Sequence, residues 1–354
     1  MIDGPREVRS GEELDIPALR EFLRPHVNAP LDTLTVHQFP GGHSNLTYML
    51  QAGDLELVLR RPPFGAKIAT GHDMAREHRV LSGLARAGKN APRPVAFCDD
   101  ESVLGAPFYV MERVRGVIIR KAKGHALDEH TMRGLCESMV DGLADLHRTD
   151  LELSGFTDLG KPEGYVARQV SGWVLRYEKA QTDQISDMDR VAHWLQENQP
   201  PSQSGAFIHN DYKLDNLLLA PDDLTRIVSV LDWEMATVGC PLMDLGTTLG
   251  YWVEASDPDT MKTPPFPPTF LPGGMSRQEV VERYSEKTDT DVASPVFYYA
   301  FGLFKIAVIA QQIYKRFKEG HSKDPRFAGM IFAVTLLSQT AAKAIDRDRI
   351  HDLA

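Results

Sequence analysis

The sequence predicts an α+β protein of two parts: a small antiparallel β-rich lobe with one helix, then a larger, mainly helical lobe. Three observations carry that prediction. Short apolar segments broken by Gly, Pro and Asp fill the first 112 residues, long amphipathic stretches fill most of the remainder, and one strand–loop–strand unit interrupts the helices at Ala206–Trp233. The expected division is 1–112 and 113–354, and a chain of 354 residues accommodates two domains of ordinary size.

In the first part, a helical lead-in at Glu12–Leu23 precedes a strand at Leu34–Phe39. The chain turns through Pro40-Gly41-Gly42-His43-Ser44-Asn45 and returns as Leu46–Gln51, the pattern of a hairpin with a glycine-rich tip. Asp54 breaks the chain, and Leu55–Arg60 is a third strand stopped by Pro62-Pro63. Met74, Val80, Leu81 and Leu84 recur at near-helical spacing, with Asp73 placed to cap the helix. Val95–Cys98 and Pro107–Val114 complete the sheet. In the second part, Thr131–His147, Tyr165–Ala180, Asp187–Gln199, Ser276–Glu286, Pro295–Glu319 and Pro325–Ile345 read as helices. Asp257–Gly274 carries six prolines and no periodicity, so it is a long loop of the kind that often serves function.

Composition narrows the function. The 39 Lys and Arg face 49 Asp and Glu, for a net charge of −10, which argues against broad binding to nucleic acid or to an anionic membrane. Cys98, Cys136 and Cys240 lie far apart with no C-x-x-C pair, so neither a disulfide framework nor a zinc site is expected. The amino-terminal residues lack the basic start and apolar stretch of an export signal. The most membrane-like segment, Val296–Tyr314, has Lys305 in its middle and reads as a buried core helix. A soluble protein of the reducing cytoplasm is the expectation.

The chemistry is densest at Phe207–Leu219. An apolar strand delivers His209 and Asp211 to a loop, Asn216 opens the next strand, and Ile227–Leu231 returns to end at Asp232. If those strands pair, Asn216 and Asp232 lie opposite each other with Asp211 one short loop away. An amide oxygen and two carboxylates at one end of a hairpin make an all-oxygen site that suits Mg²⁺.

The pattern His209-x-Asp211-x-x-x-x-Asn216, followed by Asp232-Trp233-Glu234, resembles the catalytic loop and metal-binding segment of the protein-kinase-like fold. More closely it is similar to the aminoglycoside phosphotransferase and choline kinase branch, which has an acidic residue two positions beyond the metal Asp. The resemblance implies a two-lobed kinase with its active site in the cleft between lobes. Asp211 would accept the proton of a substrate hydroxyl, while Asn216 and Asp232 would hold Mg²⁺ on the phosphates of ATP. His209 would brace the loop through a hydrogen bond, and Asp244 would brace it structurally. Arg60 stands where the fold carries a phosphate-contacting lysine and Glu77 where a helix glutamate pairs with it, with Arg61 as the rival on the opposite face. Gly41, Gly42 and Ser44 occupy the place of the phosphate loop, and backbone groups at Glu112 and Val114 that of the adenine-binding hinge.

A second likeness concerns the acceptor. Val58-Leu59-Arg60-Arg61-Pro62-Pro63 and Phe297–Lys305 resemble kinase domains fused to, or encoded beside, acyl-CoA dehydrogenases and associated with hydroxyacyl-CoA compounds. Lys305, Lys315, Arg316, Lys318 and Lys323 cluster late in the chain and lean towards an anionic acceptor, although a solvated helix face accounts for them equally well. An aminoglycoside or choline-like amino alcohol is the alternative small-molecule acceptor. A nucleotide-binding pseudokinase and a metal-dependent hydrolase are the rival classes.

Overall fold

The computed structural model describes residues 4–40, 45–64, 73–120, 127–201, 204–263, 266–322 and 324–353. In chain order its elements are α1 (Ile16–Leu23), β1 (Thr35–Gln38), β2 (Leu46–Ala52), β3 (Leu55–Arg61), α2 (Met74–Arg86), β4 (Pro94–Cys98), α3 (Glu101–Leu104), β5 (Phe108–Glu112), α4 (Glu129–His147), α5 (Leu151–Ser154), α6 (Tyr165–Ala180), α7 (Ser186–Glu197), β6 (Ala206–Ile208), β7 (Leu217–Ala220), β8 (Asp223–Val230), β9 (Thr237–Gly239), α8 (Pro241–Tyr251), α9 (Arg277–Thr288), α10 (Pro295–Lys318) and α11 (Met330–Arg347). They gather into two compact units. One holds Met1–Ile118, Asp150–Phe156 and Asn216–Ala236, and the other Ile119–Thr149, Thr157–Asp215 and Thr237–Ala354.

The first unit is built on a five-stranded antiparallel sheet in the order β1-β2-β3-β5-β4. Tyr48, Leu50, Leu57, Leu59, Phe108 and Val110 are buried in one cluster with Leu19 and Leu23 of α1. Strand parity then decides between the adjacent arginines. Arg61 shares the side of Leu57 and Leu59, where its guanidinium lies 3.6 Å from the Phe64 ring centroid. Arg60 points to the other face. Helix α2 starts where expected, the Asp73 carboxylate accepting from the Arg76 N–H at 2.9 Å, and it buries Glu77 beside Val80, Leu81 and Leu84. The hairpin β7–β8 also belongs to this unit, paired from Leu217↔Val230 with two register shifts. Helix α3 was not legible in the sequence. Its four residues are closed off by an Asp100 cap and by Gly105 at φ 79°.

The second unit consists of α4, α6–α11 and the two-stranded β6–β9 pair. Helix α10 is its core helix, and every residue from Val296 to Val308 is buried. By length and composition α10 and the span Pro325–Arg347, which contains α11, could each cross a membrane, but 83% of the apolar stretch of α10 is covered within the protein, against 39% for that of Pro325–Arg347. The proline-rich stretch expected as a loop contains a short 3₁₀ turn at Asp259–Lys262 and is tied down at its entry. There the fully buried Arg277 guanidinium pairs with Asp257 at 2.6 Å and Glu254 at 3.1 Å. It also donates to the Trp252 carbonyl at 2.8 Å. The segment expected as one helix from Pro325 is a 3₁₀ turn, Pro325–Gly329, leading into α11.

Helices α8 and α10 meet backbone to backbone. A Cβ on Gly302 would run into the Gly246 carbonyl, and one on Gly246 into the Tyr298 carbonyl. Helix propensity alone would make Gly302→Ala stabilising by about 1 kcal/mol. The contact partner is main chain and cannot swing aside, so the steric term wins. Gly302→Ala is expected to cost about 1–3 kcal/mol, read as a lowered urea midpoint with an unchanged slope. A raised midpoint would show that the helices separate freely.

Candidate active site

The loop after β6 lies in the second unit and is held from below by Asp244 on α8. The Asp244 carboxylate, fully buried, accepts from the backbone N–H of His209 and of Asn210, each at 2.7 Å. It also bonds His147 Nε2 at 3.1 Å. Burial alone would raise its pKa, but the bonds and charge of His147 and His209 outweigh that and hold it below the ordinary carboxylate value. His209 is fully buried, and its Nδ1 accepts from the Asp211 N–H at 3.2 Å, so the imidazole serves the loop's backbone. Asn210 sits in the left-handed region at φ 67°. An Asn tolerates that conformation better than most residues, and such strain tends to persist where surrounding bonds over-determine it.

Asp211 emerges from this scaffold with its carboxylate paired to Lys213 Nζ at 2.9 Å. Lys213 also lies 4.6 Å from the Tyr251 ring centroid. Burial opposes its charge, but Tyr251 and Asp211 more than compensate and push its pKa up. Lys213 was missed in the sequence, although its signal was available two positions beyond Asp211. Asp215, next in the loop, is pushed up by burial against the pull of Lys213 and Arg120.

The hairpin residues lie in the first unit. The Leu231 N–H donates to the Asn216 carbonyl at 2.8 Å, so Asn216 stands opposite Leu231 and Asp232 follows directly. Asp232 is also left-handed, at φ 66°, and precedes a short 3₁₀ turn, Trp233–Met235, without capping it through its side chain. Its carboxylate instead faces Arg60 at 3.6 Å. The Arg60 guanidinium lies 3.5 Å from Glu77 and 3.7 Å from Glu234 as well. One cation thus faces three carboxylates. Burial works against the Arg60 charge, but Tyr109, Glu77, Asp232 and Glu234 outweigh it and drive the pKa up. Burial pushes the Glu77 carboxyl up against the opposing pull of Arg60 and of a Tyr109 hydrogen bond. Glu77 is positioned by three groups: Arg60, the Tyr109 hydroxyl donating at 2.8 Å and the Asn45 amide donating at 3.1 Å. Asn45 reaches Glu234 too, at 3.4 Å. Tyr109 could have been found from register, since it pairs directly with Arg60 across β3–β5. Nothing in the local sequence marks Asn45.

Among the expected nucleotide contacts, Gly41, Gly42 and Ser44 lie outside the described residues. Glu112 ends β5, where its N–H already donates to the Arg93 carbonyl at 2.8 Å. Val114 follows two residues on, half-buried. The late lysines do not form one group. Lys305 is buried in α10, Lys315 donates to the Lys179 carbonyl at 2.7 Å, Lys318 pairs with Asp183 at 3.0 Å, and Lys323 lies outside the described residues.

Asn216 and Asp232 offer an amide oxygen and a carboxylate, both hard donors. Among the described residues no group of three or more His, Cys, Asp or Glu is arranged to hold a metal ion. Two such ligands fit Mg²⁺, which binds through one or two carboxylates and leaves the rest of its octahedron to water and phosphate oxygens.

Comparison with known proteins places this geometry. The sequence profile of the Phosphotransferase enzyme family, APH, matches residues 35–263. The chain is 31% identical over 338 residues to acyl-CoA dehydrogenase family member 10 of Mus musculus, covering 91% of this chain and 30% of that protein. It is 32% identical over 325 residues to family member 11 of Rattus norvegicus, covering 89% of this chain and 41% of that protein. The chain therefore spans well under half the length of these curated relatives. Among solved structures, a candidate aminoglycoside phosphotransferase from Ralstonia eutropha JMP134 matches with a TM-score of 0.82 and 28% identity, covering 95% of this chain and 99% of that one. Choline kinase from Cryptosporidium parvum Iowa II gives 0.62 at 14% identity, over 94% and 97% of the two chains. A thermostable mutant of aminoglycoside phosphotransferase APH(4)-Ia, in ternary complex with AMP-PNP and hygromycin B, gives 0.57 at 15%, over 91% and 98%. These last two are likenesses of fold. With the profile matched across most of the chain and a kinase-like fold shared along nearly all of it, the protein belongs to the APH phosphotransferase enzyme family.

Proposed function

We propose that the protein is an ATP- and Mg²⁺-dependent kinase that phosphorylates a hydroxyl of a small molecule, with a hydroxyacyl-CoA-type compound as the acceptor class. The observation that carries the reading is the Arg60 cluster, in which a largely covered guanidinium lies beside a helix glutamate, Glu77, and faces Asp232. A cation so restrained is preorganised for phosphate oxygens, and phosphoryl transfer asks of a protein mainly positioning and charge neutralisation. Asp211 takes the proton of the acceptor hydroxyl as its oxygen bonds to the γ-phosphorus, and the ADP oxygen leaves. Asn216 and Asp232 would hold Mg²⁺, which when bound neutralises phosphate charge. Arg60 orients the phosphates, and the backbone around Glu112 and Val114 receives the adenine. A nucleotide is consistent with the AMP-PNP held by a protein of the same fold.

The acceptor class rests on kinship with the acyl-CoA dehydrogenase family members. Charge lends it no weight, since among the described residues Lys305, Lys315 and Lys318 are spent on separate partners. Cys98, Cys136 and Cys240 are free and buried, which supports a reducing compartment. The test is ATP consumption with Mg²⁺ against three acceptor pools: hydroxyacyl-CoAs, aminoglycosides and choline-like amino alcohols. Turnover confined to the first pool is the expected result. Turnover confined to either other pool would replace the acceptor class, and silence in all three with nucleotide bound would favour a pseudokinase.

A further inference from the structure

Lys305 sits in the middle of an apolar helix, where nothing about packing asks for a charge. Its neighbours from Phe301 to Val308 are all buried, and it is itself only 3% exposed. Lysine is almost never buried so completely without a partner, because the charge loses its hydration. The partner is the loop that carries Asp211. Lys305 Nζ donates to the Asn210 carbonyl at 2.6 Å and lies 3.4 Å from Thr247 Oγ1. The Asn210 N–H is held from the other side by Asp244 at 2.7 Å, and the Asn210 amide group meets the Tyr165 hydroxyl at 3.2 Å. A left-handed residue is thus gripped at its N–H by an anion on α8 and at its C=O by a cation on α10. The gripped carbonyl shares a peptide plane with the Asp211 N–H, which donates to His209. Tilting that plane would swing the Asp211 carboxylate.

We propose that Lys305 is a positioning residue for phosphoryl transfer: its ammonium fixes the Asn210–Asp211 peptide and so aims the Asp211 carboxylate at the acceptor hydroxyl. The proposal rests on the reading of Asp211 as the base. The groups facing the ammonium are Asp211 and Lys213 from the loop, Asp244 and Thr247 from α8, and Arg176 and Trp173 from α6, the Trp173 ring centroid at 5.8 Å. Burial lowers its pKa to about 8, with Asp211 and Asp244 opposing and Lys213 and Arg176 adding to the fall. The folded value lies below the unfolded 10.5, so this group's contribution to stability is present above 10.5 and lost as pH falls through about 8. The ammonium is therefore kept at neutral pH against stability, as expected of a group retained for its charge.

The experiment compares wild type with Lys305→Met, Lys305→Arg and, as a control on the same helix, Lys315→Met. Turnover and the KM for ATP are measured with Mg²⁺ on both sides of pH 8, using the acceptor pool that supports turnover. In parallel, ¹⁵N NMR follows the Asn210 and Asp211 amides. Lys305→Met should lower kcat about a hundredfold with the KM for ATP unchanged, the loss typical of a misplaced reacting group. Wild type should lose turnover as pH rises through 8, with both amides shifting at that midpoint. Lys305→Arg, charged at every accessible pH, should recover most of the rate and abolish that alkaline limb. Wild-type turnover in Lys305→Met overturns the proposal. If Lys305→Met does not fold, an alkaline limb unchanged in Lys305→Arg overturns it instead. Wild-type silence in every pool is a failure of the kinase reading; the amides then decide, and indifference to pH through 8 removes the grip.

Discussion

Asp211→Asn is expected to turn over at least about a hundredfold more slowly than wild type, with nucleotide affinity little changed. The substitution keeps the side chain's size and removes its charge, and with it the capacity to take a proton. The loop should keep its shape, because the bonds that hold it run from the backbone N–H groups of His209, Asn210 and Asp211 to Asp244 and His209. The Lys213 pair changes from an ion pair to a bond between the Lys213 ammonium and a neutral amide. An unchanged melting temperature would certify the fold, and steady-state kinetics with the productive acceptor would read the loss. Wild-type kcat in that variant would falsify the assignment of Asp211 as the base.

The second large effect is expected at Asp232. Even residues behind a metal's direct ligands typically cost tenfold to about a hundredfold in affinity when replaced. Losing one of two protein ligands should cost more than about a hundredfold in Mg²⁺-dependent nucleotide binding. Arg60 would still be restrained by Glu77 and Glu234, so the cluster need not collapse. Alanine is poorly suited to φ 66°, which adds a conformational penalty unrelated to metal. Asp232→Asn tolerates that backbone and separates the two effects. Titrations of nucleotide with Mg²⁺ and with a chelator should differ for wild type and coincide for both variants. A metal-dependent difference of wild-type size would remove Asp232 from the ligand set.

Much of the architecture was written in local pattern. Alternation and turn residues gave β2 and β3, and helical periodicity gave the bounds of α6 at Tyr165–Ala180. What escaped is what depends on distant residues. The three-residue β9 exists only because it pairs with β6, some thirty positions earlier. The hairpin Asn216–Ala236 groups with the first unit although it is embedded in the sequence of the second. For the site, the H-x-D-x-x-x-x-N spacing pointed to Asp211 and Asn216, and strand parity separates Arg60 from Arg61. The partners of those residues were not legible, since Asn45 and Tyr109 reach Glu77 across 32 positions each. Lys305 was grouped with Lys315 and Lys318 because they are near in sequence. Ten residues of helix span about 15 Å, and the buried lysine and its surface neighbours answer to different surroundings.

The contact of α8 with α10 at Gly246 and Gly302 bears on how this loop can be inherited or transplanted. Asp244 stands two residues before one of those glycines and Lys305 three residues after the other. The spacing between the two braces is therefore ruled by main chain rather than by side chains that could repack. A chimera that received residues 206–216 alone would acquire the reactive groups without the vice that shapes their backbone. The smallest portable module is the loop with both helices, and exchange between relatives should tolerate borders outside that triple and fail for borders that cut it.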